Sequence, residues 1–491
     1  MHTHTGRCCV GIDLGTTNIK VALYDQDMGL LARRSLPVCY ERSGNFVEFD
    51  ADAYVESLLS LLGEALEGCG ARAVAQIALT GQAESLVVLG ADMRPLMPAI
   101  SWMDERSTQE CALLAEAFDA KTVEAVTGQM ALLPTWPATK ILWLRRNRPD
   151  VFAAAEKYML LKDYVVYRLT GRLCADCSIA TFSLYFDIHR KCYWQEMLER
   201  IGVREAQLPP LVEPCTTAGE MLPEVAQRLG LEGVTHVNVG TLDHFAGMIG
   251  TGNARVGTMT LSTGTVMALA AMCAEPAPRN SGIALHYGFL PDTHVMLSVV
   301  ESGGVSLEWF RQRCMPGVSY EQINEVLLAR QGENPLIFLP YITGVNAPDF
   351  DQGATGAFLG LRQEHDAFDM AHAVMEGVAF ALRKNCDYIA GKGTKLREII
   401  GTGGGSRSPV WCQLQADATG LPVLVPQERE AACLGAAIIA AVSAGWFVDL
   451  ESAMRACVRI ARRYEPRPSA WMEEKYQRFC RVYSALLPGG L

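Results

Sequence analysis

The sequence predicts an α/β protein built as two domains, and three observations predict it. The stretch 9–25 reads strand, corner, strand: Val10 and Ile12 lead into Asp13-Leu14-Gly15-Thr16-Thr17, and the apolar run 19–24 leads away. About 250 residues later, 259–270 repeats that design around Ser262-Thr263-Gly264-Thr265. The chain of 491 residues is too long for a single core and suits two domains of roughly 250 residues each. The expected halves are 1–248 and 249–491.

In the first stretch, Gly15 is free to take a backbone shape that other residues resist. A corner of this kind turns successive N–H groups and the hydroxyls of Thr16 and Thr17 toward one spot, which suits phosphate oxygens. Asp13 ends the first strand facing the same spot, where it can hold Mg2+ through the ion's water shell. Taken alone, the stretch is equally an ordinary hairpin. The second copy favours a duplicated architecture in which each half grips one side of a nucleoside triphosphate.

Hydrophobic content of 49% with 20% charged residues describes a globular chain, neither disordered nor fibrous. A formal net charge of −11 argues against a nucleic-acid partner, because no broad basic surface can form. The sixteen cysteines are scattered, several in apolar runs (Cys8, Cys9, Cys111, Cys433), as expected of free thiols in a reducing cytosol. Cys174 and Cys177 have no second pair at a zinc-ribbon distance, so that spacing reads as coincidence. The first strand comes directly after the N-terminal heptapeptide, with no signal-peptide pattern. The most apolar later run, 434–448, falls short of the ~20 residues that span a bilayer. A soluble cytoplasmic protein without a membrane or nucleic-acid partner is expected, with a homodimer left open.

In the first half, a third strand is expected over 30–39 and a helix over 51–68, where Tyr54, Leu58, Leu59, Leu62 and Ala65 recur at helical spacing. A buried strand over 74–80 ends at Gly81-Gln82-Ala83-Glu84-Ser85. Ligands of open α/β sheets bind just past the C-terminal ends of strands, which makes Gln82, Ala83 and Glu84 substrate-site candidates. A strand over 85–90 is succeeded by Trp102, Asp104 and Arg106 near a strand end. Trp102 either forms a flat wall for a sugar or belongs to the core, while Asp104 and Arg106 can accept from and donate to hydroxyls. Pro137 opens a helix, 158–171 reads as a strand into a helix closed by Gly171, and 174–180 reads as a loop.

The other sharp signal is 237–250. A buried strand through Val237 and Val239 delivers Asp243 to a turn before a helix of small residues. Asp243 either caps that helix or serves as the base that accepts a substrate hydroxyl proton in phosphoryl transfer. Beside it, His244 either hydrogen-bonds the substrate or packs.

Together these segments resemble the FGGY family of carbohydrate kinases, xylulokinase-like members of the actin/hexokinase-like ATPase superfamily. The likeness covers nearly the whole chain. It includes the Asp13 hairpin, Lys162-Asp163-Tyr164 with Thr170-Gly171, the 240–247 segment and the 262–265 hairpin. It also includes Gly356-Ala357-Phe358-Leu359-Gly360-Leu361 with 369–377, and Gly403-Gly404-Gly405-Ser406-Arg407-Ser408. The resemblance implies two actin-like (ribonuclease H-like) domains with a cleft between them, and ATP and Mg2+ as co-reactants. It further implies that Asp13 orients the metal and phosphates, with Asp243 a second candidate ligand. Gly264 and Thr265 then contact phosphates, and Gly404, Gly405 and Ser406 form the adenine-side floor. A helix beginning at Leu434-Gly435-Ala436-Ala437 is implied to pack on that floor.

Two departures bear on substrate. Xylulokinases usually carry Met-His where Ala83-Glu84 stands, and glycerol kinases carry Arg-Glu. His244 replaces the commoner Asn or Gln. The Trp102, Asp104, Arg106 segment resembles the pentulose branch. Phosphorylation of a terminal hydroxyl of a small sugar is expected, with a pentulose such as xylulose favoured. A polyol kinase and a sugar-sensing, non-catalytic member stay open.

Overall fold

The computed structural model describes residues 6–275, 277–330, 333–345, 348, 349, 351, 353–428 and 430–486. They fall into two compact units. The first comprises Met1–Ala254, Ala284–His294 and Glu430–Val458; the second comprises Arg255–Ile283, Val295–Arg429 and Arg459–Leu491.

In the first unit the predicted hairpin forms from Cys8–Leu14 and Asn18–Tyr24, and Leu30–Pro37 extends it. Cys8–Leu14 also pairs in parallel with Val74–Gly81, which pairs in parallel with His236–Leu242. Thr217–Glu220 closes the six-stranded sheet antiparallel to His236–Leu242. Every residue of the Cys8–Leu14 and Val74–Gly81 strands is buried, as a sheet covered on both faces requires. Helix Ala51–Cys69 starts at Asp50, whose side chain accepts from Ala53 N, and stops at Gly70 in the left-handed region. A second, five-stranded sheet carries Leu86–Leu89, Ala99–Ile100 and Lys157–Leu160. Helix Leu161–Thr170 ends at Gly171 with φ 69°, as read from the sequence. The 174–180 segment differs from the expected loop: it holds the short strand Ala175–Asp176 and a helical turn Cys177–Ala180, capped by the Asp176 carboxylate.

The second unit repeats the pattern. Hairpin Thr258–Thr263 and Met267–Ala274 pairs in parallel with Glu398–Thr402, then Val423–Pro426, and Ile460–Tyr464 closes antiparallel. A hairpin, two parallel strands and an antiparallel edge recur in the same order, which is the duplicated architecture expected from the two corners.

Helix Ala431–Ser443 lies in the first unit, where its small residues pack on strand Cys8–Leu14 and helix Asp243–Thr251. A Cβ on Gly435 would stand 1.8 Å from Ala246 O, one on Gly250 1.9 Å from Ala431 O, and one on Gly11 2.1 Å from Cys433 O. Glycine is therefore what lets this helix touch both the strand that carries Asp13 and helix Asp243–Thr251 at backbone distance.

Candidate active site

Asp13 and the strand that leads to Asp243 flank Val74–Gly81: Asp13 is in register with Thr80, and so is Thr241. Two strand spacings put those backbones about 10 Å apart, and both side chains leave at the C-terminal edge of parallel strands. The carboxylates are close enough to repel. Burial first, then Asp243, push Asp13 up to about 7 from the ordinary carboxylate range, against the pull of Lys20. Asp13 Oδ1 is buried and accepts no hydrogen bond among the described residues.

Asp243 is the first residue of helix Asp243–Thr251, at the positive end of the helix dipole. Its Oδ1 accepts from its neighbour's backbone, His244 N, at 2.6 Å, and lies 3.1 Å from His244 Nδ1. That contact with Asp243 is the main cause raising the His244 imidazole above its usual range. Asp243 is thus the first helical residue and not the cap, which is Leu242, and its carboxylate acts on Asp13.

The corner itself is built differently from its sequence reading. Gly15 does not take a left-handed shape; a Cβ there would meet Asn18 O at 2.7 Å, so lack of space demands the glycine. Trp102 is 37% exposed, and its indole N–H donates to Thr16 Oγ1 at 2.9 Å. Gln82 is buried and donates to Gly15 O at 3.4 Å while accepting from Ser85 Oγ at 2.9 Å, so its amide props the corner from beneath. Ala83 is buried beside it. Thr17 is exposed.

Asp104 requires a correction. It is fully buried, its Oδ2 accepts from Val47 N (2.6 Å) and Arg106 Nη2 (2.7 Å), and its Oδ1 accepts from Arg106 N and Nε. Arg106 also pairs with Glu48 at 2.7 Å and lies over Phe46. The two groups form an internal fork-to-carboxylate pair, and the Asp104 oxygens have no lone pair left for a substrate hydroxyl.

Glu84 sits in the left-handed region with φ 61°, costly for a residue with a side chain and typical of functional loops. Burial drives its carboxyl well up, and Lys140 opposes this. Asp243 and His244 act on the same carboxyl, so Glu84 shares their site. Lys140 is fully buried, with Nζ donating to Glu84 O (3.0 Å) and Ser101 O (2.8 Å), which fixes the loop. Sequence reading missed Lys140, and also Lys20, the cross-strand partner of Asp13, whose Nζ pairs with Glu430 at 2.5 Å. Counting back across the Gly15 corner would have paired Asp13 with Lys20; nothing local marks Lys140.

In the second unit, Gly264 and Thr265 are exposed at the tip of their hairpin. Gly264 O accepts from Gly304 N at 2.7 Å and Thr265 O from Val305 N at 3.0 Å, so the first turn of helix Gly304–Cys314 holds the corner. After strand Glu398–Thr402, the glycines that geometry requires are Gly403, with φ 78°, and Gly405, whose Cβ would meet Thr263 Cγ2 at 2.5 Å. At Gly404 a Cβ would meet only Thr263 O, at 3.9 Å, and Ser406 Oγ donates to Gly403 O at 2.8 Å. Arg407 is exposed, as expected of a surface charge.

Among the described residues no helix is long and apolar enough to cross a membrane, and all sixteen cysteines are free thiols. No group of three or more His, Cys, Asp or Glu side chains is arranged to hold a metal among them.

Comparison with known proteins gives this arrangement its context. The FGGY family of carbohydrate kinases matches as its N-terminal domain over residues 8–250 and as its C-terminal domain over 259–444. A xylulose kinase of Lactococcus lactis is 31% identical over 487 residues, covering 96% of each chain. The ligand-bound xylulose kinase of Lactobacillus acidophilus superposes with a TM-score of 0.88 at 26% identity, over 98% of both chains. The gluconate kinase of Lactobacillus acidophilus superposes with a TM-score of 0.87, also at 26% identity and 98% coverage of both chains. The chain belongs to the FGGY family of carbohydrate kinases, phosphotransferases that use ATP and act on a sugar hydroxyl.

Proposed function

We propose that the protein transfers the γ-phosphoryl group of ATP to a terminal hydroxyl of a pentulose, xylulose being the favoured substrate. The observation that carries this reading is the approach of Asp13 and Asp243 at the C-terminal ends of two parallel strands that flank a third, close enough to repel. One carboxylate accepts the proton of the attacking hydroxyl while the other organises charge at the phosphates, as phosphoryl transfer requires. We assign the base to Asp243. Thr16, Thr17 and the Gly15 corner bind phosphate oxygens in the N-terminal half (1–248), which also binds the sugar. Gly264, Thr265, Gly404, Gly405 and Ser406 bind nucleotide in the C-terminal half (249–491).

The residues fit Mg2+. Asp13 Oδ1 is an unpartnered buried acceptor, and Asp13 with Asp243 suits an ion that takes its other ligands from water and phosphates. Bound there, Mg2+ would neutralise phosphate charge. Trp102 offers the sugar an apolar face, and Glu84 and His244 offer its hydroxyls polar partners. Sixteen free thiols support a cytoplasmic setting. Glu84, the acid that the resemblance matches to the polyol-binding acid of glycerol kinases, supports a polyol as the second reading.

ADP release measured over D-xylulose, D-ribulose, xylitol, erythritol, glycerol and D-gluconate tests the substrate. D-xylulose is expected to give the highest kcat/KM, and a higher value for glycerol or gluconate overturns the assignment. Asp243→Asn is expected to keep the fold and lose about 10³-fold in kcat; unchanged turnover refutes the base.

A further inference from the structure

Strand His236–Leu242 does not run straight to Asp243. Between Asn238 and Thr241 it advances three residues while its partner advances two, from Ala78 to Thr80. This is a β-bulge, a device that redirects the strand beyond it. Gly240 makes it: φ is 66°, and a Cβ would stand 1.6 Å from Leu79 O. A buried polar chain backs the bulge. Lys162 Nζ donates to Val239 O at 2.6 Å and pairs with Asp176. Asp176 Oδ1 accepts from Ser178 N (3.0 Å), Ile179 N (3.2 Å) and the Ser178 hydroxyl. With its proton given to Asp176, Ser178 Oγ accepts twice, from Thr241 Oγ1 at 2.8 Å and from Leu242 N at 3.2 Å. Lys162, Asp176, Ser178 and Thr241 are all 0% exposed.

We propose that Ser178, anchored by the Lys162–Asp176 ion pair, is a positioning residue that fixes the Thr241–Leu242 backbone and so the direction in which Asp243 enters the site. The proposal rests on the reading of Asp243 as the base. A buried ion pair is costly to desolvate and contributes little net stability, so its value lies in specifying one geometry. Leu242 precedes the helix without a side-chain cap, and the Ser178 hydroxyl holds the N–H of that residue. A misplacement near 1 Å at a reacting group costs up to about 10²-fold in rate.

The test compares Ser178→Ala, Thr241→Val, the double variant and Asp243→Asn in the full chain, with ATP, Mg2+ and the panel sugar that wild type phosphorylates fastest. Ser178→Ala is expected to lower kcat about 10- to 100-fold with KM for sugar and ATP within about threefold. Hydrogen exchange should quicken in the peptide over 236–247 without a global change. Thr241→Val should lose less, and the double variant no more than Ser178→Ala alone. Wild-type kcat in folded Ser178→Ala, or losses that multiply in the double variant, overturns the positioning role. Full turnover in Asp243→Asn overturns the underlying base assignment instead. If Ser178→Ala fails to fold, Thr241→Val with unaltered kcat and unaltered 236–247 exchange overturns the proposal by itself.

Discussion

The indole N–H of Trp102 donates to Thr16 Oγ1 at 2.9 Å, tying a strand-end aromatic to the corner that carries Asp13. The bond joins two residues that sequence reading assigned to different substrates, one to sugar and one to phosphate. Trp102→Phe keeps an aromatic wall and removes only this donor. A neutral hydrogen bond contributes about 0.5–1.5 kcal/mol net, so kcat/KM should fall about 2- to 12-fold. Thr16→Val should match it, and the double variant should add little, as steady-state kinetics would show.

Three carboxylates act on one site, and the nearby cation Lys140 is committed to two carbonyl oxygens. A sugar acid entering there meets like charge, a penalty that serves specificity. The enzyme should prefer D-xylulose to D-gluconate by at least about 10-fold in kcat/KM, equivalent to ~1.4 kcal/mol. Because burial raises the Glu84 carboxyl to about 8, Glu84→Gln should narrow that ratio only above that pH, chiefly through a lower KM for gluconate.

Burial pushes Asp163 up to about 8, with Lys162 opposing and Asp176 adding to the rise. The folded protein therefore keeps a proton that the unfolded chain releases near pH 4. That contribution favours folding at low pH and is lost as pH rises toward 8. Asp163→Asn lacks the titration. Its stability relative to wild type should grow between pH 5 and pH 9, by on the order of 3 kcal/mol. Urea unfolding at the two pH values measures it; a gap that shrinks with rising pH contradicts the assignment.

Gly240→Ala demands a Cβ where Leu79 O stands, at a φ that L-residues avoid. Relief requires undoing the bulge. The variant should lose about 4 kcal/mol or more, read as a shift in denaturation midpoint, whereas Ala at the spacious Gly247 should cost no more than about 1 kcal/mol.

What the sequence by itself determined was local. The corner at Gly15 and its copy at Gly264, the strand into Asp243, and the helix end at Gly171 are written in short-range pattern, because turns and caps depend on the residues in them. Asp13 and Asp243 were nameable for that reason. Tertiary structure decided which polar groups remain free. Asp104 looked like a hydroxyl partner until Arg106 and Val47 N occupied both its oxygens. Gln82 turned beneath the corner, and Lys140 arrived from 56 positions beyond Glu84. Only the packed chain also sent helix Ala431–Ser443 to the backbone of Gly11 and Ala246. Apart from Asp104 with Arg106, two positions on, such pairings join segments tens to hundreds of residues apart. A side chain's role there depends on what burial brings against it, and no local spacing encodes that.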